Sequence, residues 1–391
     1  MANNTTATLT ILSQREGIDL GDFQRDAKDF GLPENVTLRI EQVTLFGGKQ
    51  HGSRLILLTV GATTLRVIPT RGMGILDAIR GGVRFGWDSP VKEVVHPSFI
   101  NQEASGGCGW LDGFNEMMVR CGYQWSGHPG EDRGEFLTLH GRIQNTPADE
   151  IVLEVDQQPP YAVRLRGRVD EKRFKFTNFE LQTCLTLTPS SPYIEVQDTL
   201  TNLSSYDNTC QAIYHNNFGE PILGQGARLH VTGKKVAPFN DYAATGLDSW
   251  AQMPAPTPNF DEMVFNIESL ADEQGMAYAL LESSSQAEGI EVAYQVASLP
   301  VLTIWKNVDT EEQGYVVGIE PGTSYAYNRR HQWDLGLVPT IKAKESKQFY
   351  VRFGLFTTEE EVQASKQHIA NVQDGTPLIV ESAPTVRINE Q

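Results

Sequence analysis

The sequence predicts an all-β fold, a large antiparallel β-sandwich with long loops and a few short helices. Three observations predict it. Most of the chain reads as short β-branched or alternating runs separated by Gly, Pro, Asn and Asp, the pattern of strands and turns. Helical patterning is confined to the two ends. No repeat on the scale of roughly 20 to 50 residues recurs, which disfavours a propeller or solenoid. With 391 residues, 40% of them hydrophobic, the chain is long enough for one large all-β domain or two ordinary ones, and no linker divides it.

The elements follow in order. "IDLGDFQRDAKDFG" (18–31) predicts a helix within an N-terminal extension over 1–50. "LILLTVGATTLRVIP" (55–69) predicts two strands around a glycine turn. "GILDAIRGGVRFGW" (74–87) predicts a hairpin, because Gly81-Gly82 supplies the positive φ angles of a tight turn. Ten further strands are expected at "EIVLEVD", "YAVRLRGRV", "FELQTCLTLTP", "YIEVQDTLTNLS", "GARLHVTG", "MAYALLES", "GIEVAYQV", "LPVLTIWKNV", "GYVVGIEP" and "KQFYVRFGLF". The sandwich domain is placed at 51–356. A C-terminal helix and tail occupy 357–391, with Thr358 and Glu361 as a capping box and Gly375 as the stop. Two long stretches, 86–136 and 237–263, lack strand character and are rich in Trp, Phe, Met and Gly, so they read as loops that line a pocket.

The formal net charge of -17 argues against nucleic acid, whose phosphates require a clustered basic face, and against anionic membrane surfaces. No segment approaches the roughly 20 apolar residues of a membrane helix. The N-terminus has neither the basic start nor the apolar run of a signal peptide. Cys108, Cys121, Cys184 and Cys210 are scattered without metal-type spacing. A cytoplasmic protein with a small-molecule ligand is expected.

Three segments place a titratable group in or beside a strand: "TLHGRIQN" with His140 and Arg142, "IYHNNFGEP" with His215, and "YVVGIEPGTS" with Glu320. Histidine is the side chain whose ordinary pKa lies near neutrality. A carboxyl straight after an apolar run is expected to have a partner or a raised pKa. Read alone, each of these residues is more often a satisfied strand-end polar group than a functional one. Together, and with Arg71 in "IPTRGMGI", they point to a carbohydrate or small-molecule site.

The series "LHGR", "YHNNFGEP" and "GIEPGT", in that order on a β-rich chain, resembles the aldose 1-epimerase (galactose mutarotase) superfamily. "GWLDGFNEMMVRCG" (109–122), "RGMGI" (71–75), "WKN" (305–307) and "GYVVGIEP" bring it nearest to an epimerase-like branch of unknown function. The resemblance covers roughly residues 55 to 355 and implies the mutarotase-like supersandwich fold. It implies His215 as general acid and Glu320 as general base, with His140 bonding the sugar near its ring oxygen. Mutarotation then needs one positioned group with a proton and one without, and no cofactor. The implied substrate-binding set is Arg71, Asp241, Trp110, Glu116, Arg120, Asn217, Lys306 and Arg329. Of these, Glu116, Arg120, Lys306 and Arg329 belong to the branch's own pattern and suggest a substrate with an acidic group. Trp110, Trp305 and Phe218 are candidates to stack on a sugar ring.

The expected activity is therefore interconversion of sugar anomers, with a homodimer among the expected states. Two rival readings use the same pocket: a non-catalytic carbohydrate-binding protein, and a lyase or hydrolase acting on an acidic sugar. A metal site built from His96, His128, His140 and His215 has no zinc-type spacing to support it.

Overall fold

The computed structural model describes residues 6–387. Two large sheets face each other. The ten-stranded sheet runs, edge to edge, Arg228–Val231, Met276–Glu282, Gly289–Gln295, Ser346–Phe356, Tyr193–Asn202, Asn178–Leu187, Val163–Lys172, Glu150–Asp156, Thr6–Ser13 and Ile18–Asp19. All its pairings are antiparallel.

The thirteen-stranded sheet runs from Ile379–Val380 through Gly233–Pro238, Met263–Ser269, Val301–Asn307, Val316–Gly322 and Gln211–Phe218 to Met118–Tyr123. It continues through Gly74–Arg80, Thr63–Ile68, Arg54–Val60 and Leu38–Thr44 to Phe23–Asp26, with Val83–Phe85 beside Gly74–Arg80. Its one parallel pairing sets Lys235 against Ile379 at the edge. The core lies between the sheets. Ile40, Leu58 and Leu65 from one meet Leu153, Leu165 and Val351 from the other in a single apolar cluster. Inward-facing residues alternate with outward-facing ones along Glu150–Asp156, as a sandwich requires. The ten strands read from sequence all form, with ends moved by a few residues.

The Gly81-Gly82 turn closes its hairpin with φ of 57° and 85°, the double positive φ that tight hairpins require. At the C-terminus, Glu359–Gln373 is a helix capped by Thr358, whose Oγ1 accepts the Glu361 N–H. The Glu361 carboxylate does not complete the expected capping box. It binds Arg80 and the Thr357 N–H instead, which ties the helix to the Gly74–Arg80 strand.

Two expectations are corrected. The helix over 18–31 does not form. Ile18–Asp19 and Phe23–Asp26 join sheet edges, and only Ala27–Phe30 winds into a 3₁₀ turn, ended by Gly31 at φ 70°. The N-terminal region is therefore woven into both sheets rather than appended to them. The stretch 86–136 is not wholly loop either. Met118–Tyr123 is a strand inside the thirteen-stranded sheet, buried at all six positions, so it lacks the alternation by which half-buried strands are recognised.

Met118–Tyr123 also carries the main polar link between the sheets. Arg120 is fully buried and donates to both carboxylate oxygens of Asp198 (2.5 and 3.0 Å) on the opposite sheet, to Thr183 Oγ1 (2.7 Å), and to the Gly72 and Met73 carbonyls (3.1 and 3.0 Å). All five guanidinium donors are used. Tyr123 and Tyr214 donate their hydroxyls to the same carboxylate. Burial opposes the charge on Arg120, but Asp198 outweighs it and holds the guanidinium protonated.

Removing one partner of such a pair strands the other charge in the core, at a cost of about 3–5 kcal/mol. Asp198→Asn is expected to lose stability on that scale in denaturant unfolding, whereas Arg166→Gln, on the outer face, is expected to change it by less than about 1 kcal/mol.

Candidate active site

The sheet places one residue from each of four adjacent strands in a row. Val119 pairs with His215, and Glu320 pairs with Thr303. The strands bearing His215 and Glu320 are joined at the Asn216–Ile319 pair, one residue away. Side chains alternate across a strand, so Arg120 and Tyr214 face the core while their neighbours Val119 and His215 face the other way. On that outer side a hollow of about 170 Å³ is walled by Trp110, Phe114, His140 and Trp305, with His215, Thr303 and Glu320 in its lining.

His215 is held from both ends. Its Nδ1 lies 2.7 Å from Asn217 Oδ1. The Asn217 amide nitrogen donates to the Glu116 carbonyl (2.9 Å), so its oxygen must face the imidazole and accept the Nδ1–H. Nε2 then faces Glu320 Oε1 at 3.2 Å, and that oxygen has no other partner. Gly318 makes room for this carboxyl, since a Cβ at that position would lie 2.5 Å from Glu320 Oε1.

Burial governs the charges. It pushes His215 down to about 3, the Asn217 hydrogen bond only partly opposing it. It pushes Glu320 well above the ordinary carboxyl range, helped by the nearby charge of Glu262. An ionised carboxylate–imidazolium pair is therefore the minor form. Nδ1 keeps its proton, and Nε2 and Oε1 share a single further proton, held mainly by the carboxyl.

His140 sits in a turn at φ 57°, uncommon for a side-chain-bearing residue and a mark of a conformation imposed by its surroundings. Gly141 follows at φ 75°, where any Cβ would strike Trp125 O at 2.3 Å. This explains the His-Gly dipeptide. The Gly127 N–H donates to His140 Nδ1 (3.3 Å), leaving Nε2–H as the ring's donor. Burial, with His215 and His128 alongside, keeps the ring neutral. Its centroid lies 5.5 Å from that of His215 and 4.8 Å from that of Trp110. Phe114 and Trp305 stand 5.1 and 5.4 Å from His215.

The other sequence candidates lie elsewhere. Arg71 and Glu116, both 0% exposed, bind each other at 2.8 Å behind the site. Gln144 and the Asn115 N–H complete the bonding of Glu116, whose backbone oxygen holds Asn217. Asn217 positions His215 rather than facing the hollow. Arg120 serves Asp198. Arg329 binds Asp132 (2.6 Å) and the Gln124 carbonyl. Lys306 donates to the Ser249 carbonyl (3.0 Å), and burial lowers its pKa to about 8. Asp241 is exposed at the start of the short helix Asp241–Ala244. Phe218 belongs to the inter-sheet core. His96 caps the 3₁₀ turn Pro97–Phe99, apart from the other histidines.

Sequence reasoning missed Glu262, Thr303 and Phe114, which line the hollow. Thr303 carried a signal, standing two residues before Trp305 on the same strand face. A larger groove of about 370 Å³ lies on the outer face of the ten-stranded sheet. Its arginines are paired across strands, Arg166 with Glu154 and Arg168 with Asp149, and no buried side chain lining it lacks a partner. That groove is a solvated sheet face.

Residues 50–355 match the family model described as "Domain of unknown function (DUF4432)". A crystal structure called a "putative aldose 1-epimerase" from Klebsiella pneumoniae is 42% identical, with TM-score 0.96 over 98% of this chain and 100% of that one. A galactose mutarotase-like protein from Clostridium acetobutylicum (15% identity, TM-score 0.54, 82% of this chain and 98% of that one) shares the fold. So does galactose 1-epimerase from Lactobacillus acidophilus (12%, 0.51, 81% and 98%). No curated protein matches. The chain belongs to the DUF4432 family, built on the fold of the galactose mutarotase-like proteins.

Proposed function

We propose that the protein is an isomerase that interconverts the anomers of a sugar by acid–base ring opening. The observation that carries this reading is the 3.2 Å approach of His215 Nε2 to Glu320 Oε1 in an aromatic-walled hollow. Ring opening moves two protons, one off the anomeric hydroxyl and one onto the ring oxygen. Glu320 as carboxylate takes the first while His215 as imidazolium gives the second, and the free aldehyde then rotates and closes on its other face. The Klebsiella pneumoniae relative bears a name of the same activity.

The proton count supports the assignment. The form that opens a ring, carboxylate with imidazolium, holds the same number of protons as the neutral form favoured by burial. Binding a sugar hydroxyl against Glu320 shifts the shared proton without exchange with solvent. His140, a neutral donor, is suited to bond a sugar oxygen in either anomer. The acidic-sugar lyase or hydrolase reading loses its basis, because the four cations that suggested it bind Glu116, Asp198, Asp132 and a backbone carbonyl.

Saturation-transfer NMR on reducing sugars should show faster anomer exchange with the wild type. His215→Ala and Glu320→Gln should each lose about 10²–10⁴-fold. Variants as fast as wild type would remove both residues from the mechanism.

The pH profile follows from the shifts. Activity is lost on the acid side only when the pair gains a second proton, and the imidazole resists this down to about 3. Between pH 5 and 7, on the order of the range where an ordinary histidine titrates, kcat/KM is therefore expected to be flat. Asn217→Asp sets a carboxylate beside Nδ1–H, favours the imidazolium, and should bring an acid limb into that window. On the alkaline side the rate should fall as Glu320 loses the pair's proton.

The same group affects stability. A carboxyl whose folded pKa is raised holds its proton in the folded state after the unfolded chain has released it. Its stabilisation is complete below the unfolded pKa and is lost as pH rises through the folded one. Thermal unfolding of the wild type should thus weaken more from pH 5 to pH 8, on the order of a pKa shift's worth of slope, than that of Glu320→Gln. Parallel loss in the two proteins would contradict a raised Glu320.

A further inference from the structure

We propose that the sugar carries an amino group and that Glu262 is the residue that selects it; this rests on the reading of the same hollow as a sugar site. The first support is the charge of the lining. No Lys or Arg side chain lines the hollow, while two carboxyls do, Glu320 and Glu262. His140 and His215 are held neutral by burial. Burial favours the protonated form of Glu320, which leaves the exposed carboxylate of Glu262 as the charge in the lining. An anionic sugar would meet this carboxylate with no cation in the lining to offset it.

The second support is the placement of Glu262. Its Oε2 accepts the Trp305 indole N–H at 2.6 Å, which fixes a solvent-facing carboxylate beside an aromatic wall. Among the described residues, Oε1 has no hydrogen-bond partner. A carboxylate bonded to Trp305, in a lining that also holds Trp110 and Phe114, suits an ammonium group, which gains from a charge-assisted hydrogen bond and from aromatic faces together.

The third support is independent of charge. Trp110 Nε1 and Thr303 Oγ1 belong to side chains 1% exposed that line the hollow, and neither has a hydrogen-bond partner among the described residues. A buried polar atom left unpaired is costly, and an indole donor and a hydroxyl beside the His215–Glu320 pair at a single hollow call for a ligand rich in hydroxyls. Glu262 adds a discriminating contact to that polyol frame. The net charge of -17 favours approach of a cationic ligand over an anionic one.

The test compares D-glucosamine and D-galactosamine with D-glucose, D-galactose, N-acetyl-D-glucosamine and D-glucuronate. It uses the full chain at a pH where the amines are charged, reading anomer exchange and binding separately by NMR. In the wild type, kcat/KM for an amino sugar is expected to exceed that of its parent by about tenfold at low salt, the size of a charge-assisted hydrogen bond over a neutral one. That ratio should shrink with added salt and fall toward one in Glu262→Gln, and glucuronate should be the poorest substrate. Equal or faster exchange of the parent sugars, or a ratio unchanged in Glu262→Gln, overturns the proposal. If no sugar exchanges faster but the amino sugars bind more tightly than their parents, and Glu262→Gln removes the difference, the amine selectivity stands and the isomerase reading falls. If no sugar of the panel binds, both fall.

Discussion

The buried pairing of Arg120 with Asp198 sets the register of the two sheets, and the site depends on it. Arg120 lies opposite Tyr214 on the adjacent strand, and both reach into the core to the same Asp198 carboxylate. Period-two alternation then leaves Val119 and His215 no choice but the opposite face. A one-residue slip between these strands would turn His215 inward and break a network in which every guanidinium donor is used. Buried ion pairs add little net stability, but a misaligned one is severely penalised, so this one acts mainly on specificity of register. His215 is thus aimed into the hollow by a charge pair on the opposite side of the sheet.

The same alternation separates what was legible in the sequence from what was not. Composition and turn chemistry were sufficient for the fold class, because strands bounded by Gly and Pro announce themselves locally. His140, His215 and Glu320 stood in short motifs, and the structure brings all three to one hollow. The arginines and Lys306 misled because a sequence states residue type and order but not direction. Arg120 is one position from Val119 and Lys306 one from Trp305, and in a strand that single step reverses the side faced. The strand Met118–Tyr123 was hidden for a related reason. Buried on both faces, and holding an arginine, a cysteine and a glycine, it shows neither alternation nor a β-branched run. The N-terminal helix was misread from a polar segment whose residues form sheet edges, where pairing with Leu38–Thr44 overrides a weak local preference. Glu262 lies in the stretch 237–263 expected to line a pocket, but nothing local singled it out, since its place depends on a bond to Trp305 from a neighbouring strand.

Arg71 and Glu116 show how residues outside the hollow still shape its chemistry. Their mutual bond, closed by Gln144 and the Asn115 N–H, holds the backbone at Glu116, and that backbone oxygen fixes the Asn217 amide. Asn217 in turn decides which imidazole nitrogen keeps its proton. The chain of contacts runs from an ion pair to a carbonyl, to an amide, to Nδ1, and finally to the proton at Nε2. The Arg71–Glu116 pair therefore serves to hold the His215 tautomer, which explains these charged residues without a charged substrate.

Two buried polar systems lie on opposite sides of one sheet, and their contrast identifies the site better than any single residue. On the core side, Arg120, Asp198, Thr183, Tyr123 and Tyr214 satisfy one another. On the outer side, Trp110 Nε1 and Thr303 Oγ1 are as deeply buried and have no partner among the described residues, and Glu320 Oε1 has only His215. A chain able to complete the first network had the means to complete the second with small changes, for example an apolar residue in place of Thr303. Leaving two polar atoms unpaired around a hollow costs stability that packing elsewhere must offset, and such local conflicts are expected where a ligand supplies the missing bonds. The raised pKa of Glu320 belongs to the same conflict: the burial that makes its charge costly gives its carboxylate the basicity that the proposed acid–base reading requires.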